Sequence, residues 1–323
     1  MRTLKMGLFP ACVLAFSGMA AAQTDFPTRP VTLIIPYPGS SSLDTEFRIY
    51  TQNIQDITGK QFIHDYKGGA GTTIATGYVA KAPPDGYTLL AVMPPFSINP
   101  AVYKDLPYDN VRDFAHVALL SRQSNLLVAG ANAPFRNASE YITHARANPG
   151  KINYATSGLG GSSHLAGEWL HYDTRTKATF VHYKAPNQRI LDLVAGRVDV
   201  TSGGYLALSS MIKSGKLRVL GVTSKDRVPG WEFPTVAEQG VPSYDYTSYV
   251  GLTAPARTPA AVITRLNEMF VKASKDPSVM KKLDGDGKLM TGSTPQQFRE
   301  FIAADTSRWK KMIDELGIKI EVE

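Results

Sequence analysis

The chain has 323 residues, of which 43% are hydrophobic and 20% are charged, and its formal net charge is +7. This composition excludes a disordered or fibrous chain, and the length indicates two domains with separate cores. The basic residues are spread along the chain without forming a block, so the charge gives no indication of nucleic-acid binding.

The first 22 residues differ from the rest of the chain. Two basic residues precede a short apolar run that ends in three alanines, which is the layout of a secretory signal cleaved before Gln23. The single cysteine, Cys12, lies inside this signal, so the mature chain has no cysteine and fits a compartment outside the cytoplasm. No other segment reaches the roughly 18 apolar residues that a membrane span needs. We therefore expect a soluble periplasmic protein.

Strands and helices alternate in the first part of the mature chain. Apolar runs predict strands at 31–38, 61–65 and 85–93. Between them lie two predicted helices, the second ending near residue 80. The stripe of the first helix consists of Leu43, Phe47, Tyr50, Ile54 and Ile57. This strand–helix alternation is typical of a parallel sheet covered by helices.

The same alternation returns in the second part of the chain and predicts two doubly wound α/β domains. The predicted strands lie at 124–129, 152–157, 178–183, 197–202 and 217–224, and the predicted helices near 139–148, from 163 and near 189–195. A strand at 249–254, a helix at 259–273 and a long amphipathic helix at 293–317 follow. Thr294 and Pro295 mark the start of that last helix, which we expect to pack on one domain.

Candidate catalytic motifs are weak. The segment 158–164, GLGGSSH, lacks the full dinucleotide fingerprint, and GGAGTT at 68–73 lacks the lysine of a Walker loop. The six histidines do not have metal-ligand spacing, so we predict no cofactor and no metal. Ser163 and His164 are adjacent at a helix start and outside a nucleophile elbow, which favours a capping or core role for His164. A secreted hydrolase using this pair is the alternative from another class.

Two segments have the same arrangement of elements: 34–44 (IIPYPGSSSLD) and 152–170 (INYATSGLGGSSHLAGEWL). In each, a strand ends in a loop of glycine and serine and a helix follows at once. Small residues let a ligand approach the backbone, and the first N–H groups of a helix are unpaired donors at the positive end of its dipole. Such turns bind anions without arginine. Alternatively, Ser41 to Asp44 is a capping box and Ser162-Ser163 is a helix cap.

The mature chain resembles the Bug receptors, periplasmic solute-binding proteins of tripartite tricarboxylate transporters. The resemblance rests on the order of many segments, among them FPTRPVTLIIPYPGSSSLD, YKGGAGTTIATGYVAKAPPDGYTLL, PGKINYATSGLGGSSHLAGEWL, IKSGKLRVLGVTS and FPTVAEQGVPSY. It implies two periplasmic-binding-protein-like (type II) domains joined by two crossing strands. We place domain 1 at 23–122 plus 247–323, domain 2 at 123–246, and the signal peptide at 1–22.

The resemblance also implies the function. A small carboxylate would be trapped between the domains of a monomer, with the loop from Pro36 to Asp44 holding the carboxylate through backbone amides and ordered water. Loops at 157–163 and at Tyr183-Lys184 would close from the other domain. The partner would be the membrane components of a tripartite tricarboxylate transporter or, alternatively, a membrane sensor. The protein would not be an enzyme.

The chain departs from the family pattern at several positions. It has Ser40-Ser41 at a usual Gly-Gly, Phe96 at a usual histidine, Ala185 at a usual glycine, Gly203-Gly204 at a usual Asp-Asn, and Tyr249 at a usual tryptophan. The missing aspartate argues against an amino-acid ligand, and Phe96, Tyr205 and Tyr249 could flank a flat ring. The favoured ligand is therefore an aromatic mono- or dicarboxylate such as terephthalate. The predicted ligand-binding residues are Tyr37, Gly39, Ser40, Ser41, Ser42, Asp44, Phe96, Ser97, Ser157, Gly158, Leu159, Gly160, Ser162, Ser163, His164, Tyr183, Lys184, Gly203, Tyr205 and Tyr249.

Overall fold

The computed structural model describes residues 26–37, 39, 41–158, 161–183, 186–284 and 287–316, with the backbone alone at 186, 187 and 316. The predicted signal peptide and the predicted site residues Ser40, Leu159, Gly160 and Lys184 lie outside the described residues. Within the described residues, no helix combines the length and the apolar character needed to cross a membrane.

The described chain contains the predicted strands and helices. It also has two strands, at 114–124 and 288–290, and three helices, at 95–102, 205–213 and 277–283, that the sequence analysis did not predict. The strands are β1 (Val31–Ile35), β2 (Phe62–Tyr66), β3 (Thr88–Val92), β4 (Phe114–Ser124), β5 (Leu126–Gly130), β6 (Asn153–Thr156), β7 (Thr179–His182), β8 (Val200–Gly203), β9 (Leu217–Val222), β10 (Thr247–Pro255) and β11 (Lys288–Met290). The helices are α1 (Ser42–Thr58), α2 (Thr73–Ala80), α3 (Pro95–Val102), α4 (Ala138–Ala147), α5 (Ser162–Thr174), α6 (Pro186–Val194), α7 (Tyr205–Lys213), α8 (Ala260–Ser274), α9 (Pro277–Leu283) and α10 (Pro295–Leu316).

Two mixed sheets organise these elements. The first has the order β11-β4-β10-β3-β1-β2 and the second the order β7-β6-β8-β5-β9. In each sheet three strands are parallel, β2-β1-β3 and β7-β6-β8, and the remaining strands join antiparallel. The predicted α/β fold with two domains is confirmed. Because the carboxyl ends of parallel strands share one edge, each sheet presents its strand–helix loops together.

The ends of α1 follow from local sequence. Ser41 is the N-cap, and its side chain accepts a hydrogen bond from the Asp44 N–H, while Gly59 ends the helix at φ +69°. Leu43, Phe47, Tyr50 and Ile54 of the predicted stripe are buried. Ile57 is not: 51% of its surface is exposed, because it lies in the last turn of the helix, beyond the part that packs on the first sheet.

Two neighbouring segments connect the sheets. One runs from β4 through Asn125 into β5, and the other enters β10 after Tyr246. Thr223 binds both: its N–H donates to the Asn125 carbonyl, and its own carbonyl accepts from the Tyr246 N–H, each at 2.9 Å. Beside them, Arg122 Nη2 lies 3.0 Å from Asp245 Oδ2. These paired connections are where we expect a hinge, and the domain boundaries given above remain a prediction.

Helix α10 packs on both halves of the molecule rather than on one. Its first half contributes Phe298 and Ile302 to a core cluster of the first sheet. Its second half contributes Trp309 to the core of the other sheet, with the ring centroid 5.5 Å from that of Trp169. The sequence pattern predicted the buried stripe of this helix, but it could not show that the stripe has two partners.

Asp305 lies between the two halves of α10 and is 8% exposed. Burial raises the pKa of its carboxyl from 3.8 to about 6, although the charges of Arg308 and Arg122 and hydrogen bonds with Ser97 and Trp309 oppose that rise. A carboxyl whose pKa is higher in the folded state favours folding when it is protonated. Its contribution is therefore fully present below pH 3.8 and is lost as the pH rises through about 6.

We expect Asp305→Asn to remove most of this pH dependence. A rise of about two pKa units corresponds to roughly 3 kcal/mol, so the variant should be more stable than the wild type at pH 7.5 by up to that amount. Urea unfolding at pH 4.5 and pH 7.5 measures the effect. Asp314→Asn, an exposed change on the same helix, is the control. An Asp305→Asn variant with an unchanged pH profile would contradict the assignment.

Candidate functional site

A cleft of about 660 Å³ lies between the two sheets. It is bounded by residues that follow β1, β2 and β3, by the start of α5, and by the connection into β10. Among the described residues, every side chain that lines it is neutral. The lining residues are Pro36, Tyr37, Gly68, Gly69, Gly71, Thr72, Met93, Pro94, Pro95, Gly161, Ser162, Leu165, Tyr246 and Ser248. The cleft is thus largely apolar, with hydroxyl and backbone groups as its polar features.

The loop after β2 has an unusual backbone where it lines the cleft. Gly69, Ala70, Gly71 and Thr72 have φ values of +125°, +44°, +57° and +81°. Positive φ at two non-glycine residues, Ala70 and Thr72, costs free energy, so surrounding contacts must hold this conformation. Asn99 Nδ2 donates to the Gly71 carbonyl at 2.8 Å, and the Tyr103 hydroxyl donates to the Ala70 carbonyl at 2.8 Å.

The start of α5 supplies hydrogen-bond donors to the cleft. Its N-cap, Gly161, has no side chain to cap the helix, so the first N–H groups are not satisfied by a side-chain cap. Ser162 Oγ accepts from Asn125 Nδ2 at 3.1 Å and from the Tyr246 hydroxyl at 3.0 Å. Since both lone pairs of this oxygen are used, its own hydrogen is left to donate to a ligand.

The loop after β1 contributes Pro36 and Tyr37 to the cleft. Burial raises the pKa of Tyr37 to about 12, so its hydroxyl stays neutral. The predicted residues Gly39 and Ser42 are exposed and do not line the cleft. A Cβ atom added at Gly39 would meet the ring of Tyr66 at 3.4 Å, which is an ordinary contact distance.

Asp44, predicted to be near the ligand, is held in a buried cluster beside α1. Its Oδ1 atom lies 2.7 Å from His64 Nδ1 and accepts from the Tyr66 hydroxyl at 3.1 Å. Its Oδ2 atom accepts from Arg48 Nε at 3.0 Å. Together with Ser41, the Asp44 residue therefore fixes the start of α1 and does not line the cleft.

The predicted residues around the start of α5 form a linked structure. Ser163 Oγ accepts from the Ser157 N–H at 2.7 Å and lies 3.0 Å from Ser157 Oγ. Gly158 has φ +115° and accepts from the Gly161 N–H. His164 is 2% exposed, with Nε2 3.3 Å from Glu168 Oε1. Of this group, Ser162 is the residue that lines the cleft.

The remaining predicted residues lie away from the cleft lining. Phe96 is 2% exposed and packs edge-to-face on Phe114. The Ser97 and Tyr249 hydroxyls bond to each other at 2.6 Å inside the core, where Phe298 and Phe301 cover the Tyr249 ring.

On the second sheet, the Tyr183 hydroxyl donates to Asp192 Oδ2 at 2.8 Å. Tyr205 packs on Trp231, with ring centroids 5.4 Å apart. Gly203 is buried against Arg189, and neither it nor the two tyrosines lines the cleft. The site role of these residues remains a prediction.

Several lining residues were not predicted from the sequence. The glycine-rich segment 68–71 could have been recognised as a ligand-binding loop from the sequence. It stands between a strand and a helix, as do the glycine–serine loops in 34–44 and 152–170. Tyr246 and Ser248 carried no such signal in the sequence, since contacts with distant segments position them: Tyr246 is bound to Thr223, and Ser248 pairs with Gln123. Across the described residues, no group of three or more histidine, cysteine or acidic side chains could hold a metal ion.

The chain matches known proteins over most of its length. Residues 46–318 match the family described as "Tripartite tricarboxylate transporter family receptor". The chain is 29% identical to Protein BugT of Bordetella pertussis over 313 residues, covering 95% of this chain and 96% of that one. The structure of R. palustris Rpa4515 with adipate is similar with a TM-score of 0.74 and 33% identity, covering 91% of this chain and 99% of that one.

A further structure extends the comparison. MatC from Rhodopseudomonas palustris with bound malate has a TM-score of 0.71 and 27% identity, covering 89% of this chain and 100% of that one. The hydrolase alternative fails, because Ser163 serves the loop structure and the similar proteins are receptors. Because the matched family spans most of the chain and two α/β domains enclose a cleft, the chain belongs to the tripartite tricarboxylate transporter receptors, the Bug receptors, which are periplasmic solute-binding proteins and not enzymes.

Proposed function

We propose that this receptor captures a small carboxylate with an apolar body and delivers it to the membrane components of a tripartite transporter. The predicted signal at 1–22 would bring it to the periplasm. The observation that carries the proposal is the cleft itself, where the start of α5 and the Ser162 hydroxyl offer donors among apolar walls. A helix start with unpaired N–H groups is a natural position for a carboxylate.

The lining favours an apolar ligand body over a hydroxylated one. Pro94, Pro95, Met93 and Leu165 offer no hydrogen bonds, whereas citrate would bury several polar groups that need partners. Two tyrosine rings, Tyr37 and Tyr246, border the same space and could contact a flat ring at its edge or face. Adipate in the similar R. palustris structure is also an acid with an apolar centre. We therefore favour an aromatic dicarboxylate such as terephthalate.

The two halves of the molecule would close on the ligand because the closed form binds it more tightly than the open form. The lining comes from both sheets, so a ligand that contacts all of it stabilises the arrangement in which the two halves are close. Ligand binding should therefore raise the population of the closed form.

A thermal-shift screen tests the function, with terephthalate, benzoate, adipate, malate and citrate as probes. Ligand at about 100 times its dissociation constant stabilises the folded state by roughly 2.7 kcal/mol, which raises the midpoint by several degrees. Terephthalate should give the largest shift. A larger shift with malate or citrate would refute the aromatic assignment, and the absence of any shift with all five acids would refute carboxylate binding.

Gly39→Val tests the loop after β1. If its backbone amides approach the ligand, the larger side chain should crowd them and weaken binding by about 10-fold, or about 1.4 kcal/mol. Folding should survive, because a Cβ at this position meets the Tyr66 ring at an ordinary distance. Calorimetry measures the affinity, with Ala256→Val at an exposed turn residue as the control for added bulk. Unchanged affinity in Gly39→Val would show that the loop serves only to start α1.

A further inference from the structure

Arg189, on α6, is a buried cation without an acidic partner among the described residues. It is 6% exposed, and its Nη1 atom donates to Thr201 Oγ1 at 2.6 Å and to the Ser202 carbonyl at 2.7 Å. Its Nε atom has no hydrogen-bond partner in the described part of the chain. Burial lowers the pKa of the guanidinium, and the charge effect that opposes this comes from Tyr154, not from a carboxylate.

A guanidinium in this position is costly for the protein. Removing a charge from water is unfavourable unless an opposite charge and hydrogen bonds replace the lost hydration. Among the described residues, neutral oxygens bind one nitrogen of Arg189, Nη1, and Nε has no partner. The group therefore retains an unsatisfied preference for an anion.

Two buried hydroxyls lie near this guanidinium. Tyr154 and Ser202 form no hydrogen bond of regular geometry among the described residues, although the two side chains interact with each other. Ser202 and the charge of Arg189 both act to lower the pKa of Tyr154 against the effect of burial, which shows that the three groups are close together. Helix α7 begins at Tyr205, shortly after Ser202 in the chain. Its N-cap is Gly204, and no side chain caps the helix.

Arg189 points to the start of α7. A Cβ atom added at Gly203 would lie 3.1 Å from Arg189 Nη2, so the absence of a side chain leaves this face of the guanidinium open. The place combines a positive charge, the positive end of a nine-residue helix and two buried hydroxyls. All three features favour a negatively charged group.

The Arg189 position is next to the cleft. Gly203 pairs with Leu126 across β8 and β5. The neighbouring residue Asn125 donates to Ser162 Oγ, which lines the cleft at the start of α5. Helices α5 and α7 follow the paired parallel strands β6 and β8. Adjacent strands are about 4.8 Å apart, so the starts of α5 and α7 are within the span of one small diacid.

We propose that Arg189 and the start of α7 form a second anion position, which binds the distal carboxylate of the ligand and makes the receptor select dicarboxylates over monocarboxylates. This rests on the proposed function, in which the first carboxylate is held at the start of α5. The selectivity arises because a monoacid leaves the guanidinium without a counter-ion, whereas a diacid supplies one. A charge-assisted pair in a buried site contributes more than an exposed one.

Two matched pairs of acids test the selectivity by calorimetry: adipate with hexanoate, and terephthalate with benzoate. The wild type should bind the diacid of at least one pair about 10-fold or more tighter than its monoacid. Arg189→Gln should remove about 10-fold or more of the diacid affinity and change monoacid affinity by less than about 3-fold. Arg189→Lys keeps the charge and should retain part of the preference. Arg197→Gln, at an exposed arginine with a side chain 61% exposed, is the matched control.

Gly203→Ala provides a second, milder test if Arg189→Gln does not fold. Its methyl group would press on Nη2 and should also reduce diacid binding selectively. Equal losses for diacid and monoacid, or no loss for either, would overturn the second anion position while leaving carboxylate binding intact. Failure of the wild type to bind any of the four acids would instead overturn the proposed function.

Discussion

Replacing Ser162 with alanine is expected to weaken carboxylate binding by roughly 10- to 100-fold, the effect of losing a hydrogen bond to a charged group worth about 1.5–3 kcal/mol. The Ser162 oxygen already accepts from Asn125 and Tyr246, so its hydrogen is directed by the protein before ligand arrives. The alanine variant loses this donor and also leaves two partners without their acceptor. Isothermal calorimetry with the ligand identified in the screen measures the effect.

Ser42→Ala provides the control for Ser162→Ala. Ser42 also stands at the first position of a helix that follows a glycine–serine loop, but it is exposed and does not line the cleft. Its replacement should change affinity by less than about 3-fold. If both alanine variants bind as tightly as the wild type, then the start of α5 does not hold the carboxylate.

Replacing Lys288 with methionine is expected to destabilise the fold by roughly 3 kcal/mol. Lys288 on β11 is 2.5 Å from Glu46 Oε2, and the Glu46 side chain is 2% exposed. Without the lysine, a carboxylate remains buried whose donors, within the described part of the chain, are the Tyr50 and Ser121 hydroxyls, both 2.6 Å from Oε1. Removing one member of a buried pair costs more than removing both.

The double variant Glu46→Gln/Lys288→Met should therefore be more stable than Lys288→Met alone. The glutamine oxygen can still accept from Tyr50, and no buried charge remains. Urea unfolding of the two variants gives the comparison, with the exposed Lys282→Met as control. A double variant that is less stable than the single one would show that the pair itself, and not the isolated charge, governs stability here.

The pattern of apolar residues predicted many of the elements, but several needed the tertiary structure. Helix α3 contains Pro100, which lacks an N–H group and should disfavour a helix. In the fold, the carbonyl of Phe96, four residues earlier, accepts from Asn110 Nδ2 at 2.9 Å instead. No local pattern could indicate this compensation, because Asn110 belongs to a different part of the chain.

In the candidate site, too, the sequence indicated some features and only the tertiary structure showed others. The sequence identified the loop before α5 as a place for an anion, since the strand, the small residues and the helix start are adjacent in the chain. It also suggested Phe96 and Tyr249 as flanking rings, but α10 covers Tyr249 with Phe298 and Phe301, and Phe96 packs on Phe114. Burial of an aromatic side chain depends on what packs over it, which its own segment does not specify.

The sequence by itself determined the two-domain α/β class, the family and the glycine–serine loops, because periodicity, helix caps and ordered motifs are local features. Only the tertiary structure decided which residues line the cleft. The Tyr246 N–H is bound to the Thr223 carbonyl, and the Tyr246 hydroxyl lies 3.0 Å from Ser162 Oγ, 84 positions earlier in the chain. The tertiary structure also decided that Arg189 is buried beside Gly203 without an acidic partner among the described residues. Contacts between distant segments depend on how sheets and helices pack together, and no short-range pattern in the chain encodes that packing.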